Sequence, residues 1–148
     1  MKTALNKQLQ NQQIDIKIKL ALLWASLMFC YIYCDYFELY SAGKVEAMIN
    51  GKSMLDSPVK VLLAAVMMSV PALMISMSVF LNSVINRVLN IIFSIFFTCL
   101  LTLIACSLDV ETHAFYIYFA AIEIIITLFI CYTAFKWPSQ IINQNHAA

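Results

Sequence analysis

The run VLNIIFSIFFTCLLTLIACSL, Val88 to Leu108, is followed by DVETH, Asp109 to His113, and then by AFYIYFAAIEIIITLFICYTAF, Ala114 to Phe135. Each apolar run has the ~20 residues a helix needs to cross the hydrocarbon core of a bilayer. Both are continuously apolar rather than alternating, which argues against the strands of a membrane barrel. The link between them is short, so the two helices are expected to be antiparallel neighbours.

Two runs of the same kind precede them, Leu20 to Tyr40 and Val59 to Leu81. The expected fold is an all-α membrane protein, an antiparallel bundle of four transmembrane helices over residues 20–135. A polar segment, 1–19, leads in and a tail, 136–148, follows. The Gln- and Asn-rich part of the lead-in, Asn6 to Gln13, needs no fold of its own. Composition agrees with the spans. The 148 residues are 63% hydrophobic and 11% charged, against roughly 45–50% and about 25% in soluble domains. A soluble domain of this size could not hide so much apolar surface, and a disordered chain would not carry it. No room is left for a second domain.

The first run has the lysines and small residues of a secretory signal at its flanks, Lys17, Lys19, Ser41 and Ala42. It exceeds the usual 7–15 apolar residues of such a signal and contains Asp35 and Glu38, so it is read as a retained span. Lysine and arginine set the orientation. Lys2, Lys7, Lys17, Lys19, Arg87 and Lys136 fall on the side of the termini, and Lys44, Lys52 and Lys60 on the other. Both termini are therefore expected in the cytoplasm. Trp24 and Trp137 are read as interfacial aromatics near the inner ends of spans one and four. Asn50-Gly51 reads as a turn, and Asp56 or Ser57 before Pro58 as a helix start.

Polar residues inside spans are costly and mark the places to look. In the first span Tyr31, Cys34, Asp35 and Glu38 share one helix face. Asp35 lies five residues inside Tyr40, about 7 Å from the helix end at ~1.5 Å per residue. Glu38 is read as an interfacial carboxylate, whereas Asp35 is read either as a site or as a structural hydrogen-bonding group. In the fourth span Glu123 stands among isoleucines, about 14 Å in from Ala114 and near the midplane. Tyr116, Ala120, Glu123 and Thr127 form one small-and-polar stripe. Tyr31 lies at a similar depth, which makes it the expected partner of Glu123. The plain alternative is a glutamic acid that only ties two helices together. In the third span Asn90, Ser94, Thr98, Thr102 and Cys106 recur at i+4 and are read as a packing face whose hydroxyls bond their own backbone.

Other chemistries lack their residues. The cysteines, Cys30, Cys34, Cys99, Cys106 and Cys131, all lie within spans and form no C-x-x-C pair. They are read as structural. His113 and His146 are expected on opposite sides of the bilayer, so they cannot be two ligands of one haem. No metal-ligand spacing, cofactor motif, nucleophile-base pair or nucleic-acid patch is present. No enzyme activity, metal or cofactor is expected.

Leu23-Trp24, Tyr31-Ile-Tyr-Cys-Asp35, Asn86-Arg87-Val-Leu-Asn90-Ile-Ile, Tyr118 through Ile122-Glu123, and Lys136-Trp137 together resemble a family of small bacterial four-span membrane proteins, a domain of unknown function. The resemblance covers nearly all of the chain from Lys19 to Trp137. It implies a multi-pass protein of the bacterial inner (plasma) membrane and carries over no catalytic residues. It suggests Tyr31, Tyr33, Asp35, Arg87, Asn90 and Glu123 as the set to test.

Two functional readings follow. In the first, the bundle binds a proton or a small polar or cationic ligand, with Tyr31, Tyr33, Asp35 and Glu123 as binding candidates. Arg87 and Asn90 are then structural or secondary candidates. A carrier of this size is expected to act as a homodimer in the lipid bilayer. In the second, the chain is a structural or regulatory subunit packed against a partner membrane protein.

Overall fold

The computed structural model describes residues 14–52 and 55–138, with the side chains of 110–112 excepted. The Asn6–Gln13 lead-in and the tail from residue 139, including His146, lie outside the described residues. The described residues form helices and turns and no strand. The helices are α1 (Ile16–Glu38), α2 (Lys44–Ile49), α3 (Pro58–Phe80), α4 (Ser83–Ser107) and α5 (Val110–Phe135). Four of them, all but α2, are long and apolar enough to cross a membrane.

Capping residues set several boundaries. α1 starts at Ile16, ahead of the apolar run, because the Asp15 carboxylate accepts a hydrogen bond from the Lys17 amide at 2.7 Å. That bond satisfies an amide the helix start would otherwise leave bare. Ser57 caps α3 in the same way, accepting from the Lys60 amide at 3.4 Å, with Pro58 in the first turn. α3 then continues as helix through Pro71.

Two connections differ from the sequence expectation. The loop after the first span contains the one-and-a-half-turn helix α2, bracketed by Gly43 at φ 76° and Gly51 at φ 65°. These are the only glycines in the chain, and they occupy left-handed positions that other residues adopt at a cost. A Lys44–Glu38 ion pair ties the start of α2 to the end of α1. The Asp109–His113 link is helical rather than open. The His113 amide donates to the Asp109 carbonyl at 3.0 Å, and the helix kinks at His113 (φ −126°, ψ 30°). The apolar span proper therefore starts at His113.

α1 packs against both α3 and α5, and α4 packs along α5. α3 and α4 touch little, although a tight turn joins them. The buried face of α1 is Leu20, Trp24, Leu27, Tyr31 and Cys34, spaced at three and four residues. The helix ends are fastened by cations to free carbonyls. The Lys17 ammonium donates to the Leu81 carbonyl at 2.7 Å, and the Arg87 guanidinium to the Phe135 carbonyl at 3.1 Å. So the start of α1 meets the end of α3, and the start of α4 meets the end of α5. Towards α2 the packing loosens. α3 has no buried residue before Pro71, and α4 has none after Leu101. In lipid such apolar faces need no protein cover, because hydrocarbon tails are as apolar as leucine.

Candidate functional site

Two polar regions divide the bundle, and they differ in whether their atoms find partners. The first lies in the half away from α2. The Trp24 indole donates to the Asn90 side-chain oxygen at 2.7 Å. The Asn90 amide donates in turn to the Asn86 side-chain oxygen at 2.6 Å and to the Asn86 carbonyl at 2.9 Å. The Asn86 amide donates to the Ser78 carbonyl at 2.5 Å. All four residues are fully buried. The network joins α1, α3 and α4 with every amide hydrogen of Asn90 used, which is the condition for a buried polar group to stabilise rather than cost.

Trp24 is therefore a core residue, not the interfacial aromatic its position suggested. Burial is possible because Asn90 meets its one N–H. Trp137 is half-buried against the same core. Further along, Thr98 on α4 and Thr127 on α5 meet through their hydroxyls at 2.8 Å. Ser94, Thr98 and Thr102 also bond the backbone of the preceding turn. That half of the stripe behaves as the packing face read from the sequence, although Thr102 and Cys106 are exposed.

The second region is a cavity of about 60 Å³ that reaches all four long helices. α1 contributes Tyr31, Cys34 and Asp35, and α5 contributes Tyr116, Ala120 and Glu123. Met67 and Met68 of α3, with Phe97 and its neighbours on α4, complete the wall. Glu123 is 4% exposed and Tyr31 7%. The Tyr31 hydroxyl and Glu123 Oε1 are buried and have no hydrogen-bond partner among the described residues. The expected Tyr31–Glu123 hydrogen bond is thus not made, even though the two side chains line one space. Asp35 and Met67 line the cavity and are also exposed, so the cavity reaches the surface of the bundle beside them.

The candidate residues separate clearly. Tyr31, Asp35 and Glu123 come together. Tyr33 does not: it is 53% exposed on the outside of α1, because two residues along a helix turn the side chain most of the way to the other face. Asn90 belongs to the buried network and Arg87 to the fastening of α5, both away from the cavity. Asn86 and Ser78 were missed, although Asn86 precedes Asn90 by one turn. Met67, Met68 and Phe97 were missed as cavity residues because nothing in an apolar side chain distinguishes a cavity wall from a lipid-facing surface. Among the described residues no group of three His, Cys, Asp or Glu could hold a metal ion. The five cysteines are unpaired, with Cys34 buried at the cavity and Cys99 and Cys106 exposed.

Chemically, the cavity presents two carboxyl groups and two phenols in a wall that is otherwise hydrocarbon, aromatic ring and sulfur. A carboxyl can take up or release a proton, and a phenol can donate or accept. About 60 Å³ is room for roughly two water molecules at their liquid volume.

The sequence profile of a family of unknown function, DUF6326, matches residues 8–144. No curated protein and no solved structure matches the chain.

Proposed function

The chain belongs to this family of unknown function, and on that footing we propose that it binds a proton or a small polar or cationic ligand inside the bundle. Glu123 is the principal binding group, with Tyr31 and Asp35 beside it. In this reading it is a non-enzymatic, multi-pass protein of the bacterial inner membrane with both termini in the cytoplasm.

One observation carries the reading. Two polar atoms from different helices, the Tyr31 hydroxyl and Glu123 Oε1, are buried without partners among the described residues and line the same cavity. A buried polar atom left unsatisfied costs about 1–3 kcal/mol. A fold that satisfies Trp24, Asn86 and Asn90 so completely does not lack the means to satisfy these two. Polar atoms left free beside a cavity suit a bound group better than a structural tie.

The alternative, a structural or regulatory subunit, would offer its polar stripe to a partner. Here Asn86, Asn90, Ser94 and Thr98 are already bonded within the chain.

The test is a structure in lipid nanodiscs. Density larger than one water, within about 3 Å of Glu123 Oε1 and the Tyr31 hydroxyl, supports the reading. A direct Tyr31–Glu123 hydrogen bond with side chains filling the cavity would overturn it.

A further inference from the structure

We propose that the ligand of this cavity is a small alkylammonium ion. The inference rests on the cavity being a ligand site and adds the chemical class of what it holds.

Charge points to a cation. Among the described residues the lining contains Asp35 and Glu123 and no lysine, arginine or histidine. The nearby Lys44 is paired with Glu38. Geometry supplies the acceptors. A primary ammonium has three N–H donors and no acceptor. Four oxygen-bearing groups line the space, the two carboxyls and the hydroxyls of Tyr31 and Tyr116, and three acceptors suffice for the ammonium. Two of these, Tyr31 and Glu123, carry buried oxygens without a partner among the described residues.

The rest of the wall selects an organic cation over an inorganic one. Hard metal cations are held mainly by clustered carboxylates, and among the described residues no group of three His, Cys, Asp or Glu could hold a metal ion. Tyr31 and Phe97 lie with ring centroids 6.4 Å apart, and Tyr116 adds a third ring. Aromatic faces attract ammonium groups, most strongly where water is excluded. Met67 and Met68 offer flexible, polarisable surface to a short alkyl chain. A proton alone would need no cavity, whereas one of about 60 Å³ that opens beside Asp35 and Met67 admits an ammonium head with its short alkyl chain towards the opening. n-Propylammonium has one nitrogen and three carbons and is charged at pH 7.

The experiment uses the full chain in nanodiscs, labelled with ¹³C-methyl methionine, and follows the Met67 and Met68 methyl signals. The probes are n-propylammonium, its neutral analogue 1-propanol, and propionate. The expected result is a saturable shift of both signals with n-propylammonium. Binding of 1-propanol and propionate is expected to be weaker by about tenfold or more, the usual value of a charge-assisted hydrogen bond. Glu123→Gln is expected to cost n-propylammonium a similar factor, and Tyr31→Phe about threefold. Unchanged Trp24 and Trp137 fluorescence in each variant shows that the fold is retained.

Equal binding of n-propylammonium and 1-propanol, untouched by Glu123→Gln, would overturn the ammonium assignment. Preference for propionate would do the same. A pH titration of the same methyl signals separates the two levels. If the amine fails while a pH-linked shift persists in the parent and vanishes in Glu123→Gln, the ammonium class falls and the proton-binding reading stands. If neither probe nor pH moves the signals, both fall.

Discussion

The Trp24 indole nitrogen lies 2.7 Å from the Asn90 side-chain oxygen, and both residues are fully buried. This bond closes a chain of donors and acceptors across α1, α4 and α3. Its counterpart is the pair Tyr31 and Glu123, which share a cavity but leave an oxygen each without a partner. The same bundle thus holds one polar group that is satisfied and one that is not. Their responses to substitution should have opposite signs.

Asn90→Ala removes the acceptor of Trp24 and the donor to Asn86 together. Both partners stay buried, so the loss is expected at about 2 kcal/mol, within the usual penalty for stranded groups. Denaturant unfolding in mixed micelles measures it. Trp24→Phe, which strands only the Asn90 oxygen, should lose about 1 kcal/mol. Parental stability in Asn90→Ala would show that the network adds nothing.

Thr98 and Thr127 should couple weakly. Thr98 has one hydroxyl hydrogen and two acceptors in reach, the Ser94 carbonyl at 2.7 Å and Thr127 Oγ1 at 2.8 Å. A double-mutant cycle with Thr98→Val and Thr127→Val should return about 0.6 kcal/mol, typical of interhelical hydrogen bonds in bilayers. A coupling near 2 kcal/mol would mean that the helix pair depends on this one contact.

The orientation proposed from the lysine and arginine distribution has its own test. A phosphatase reporter inserted near Asn50, in the turn after α2, should be active. The same reporter fused after Ala148 should be inactive. The reverse pattern would place the termini outside.

The four spans were legible in the sequence because twenty consecutive apolar residues have no other stable setting than a bilayer. Glu123 was legible because a carboxyl amid isoleucines inside a span is costly and so marks a place to look. Tyr31 was legible from its depth on a neighbouring span, though not the absence of its bond to Glu123. The inward face of each helix was harder to read. In a soluble bundle, polarity marks the outside. Here the lipid face is as apolar as the core, so Trp24 gave no sign that it points inward and Tyr33 none that it points outward. Met67 and Met68 are apolar residues of an apolar span, and only the fold sets them in one cavity wall with two carboxyls. α2 escaped because six residues show no useful period, although its two flanking glycines were visible.

The central claim is that Glu123 serves a ligand rather than the fold, and the unfolding free energy of Glu123→Met tests it most directly. Methionine keeps the length of the side chain and removes the polar atoms. If Glu123 Oε1 has no partner in the protein, its removal relieves a desolvation cost of about 1–3 kcal/mol, and Glu123→Met should equal or exceed the parent in stability. A loss of about 1–2 kcal/mol, the worth of a strong interhelical hydrogen bond in a membrane, would make Glu123 a structural tie and contradict the account.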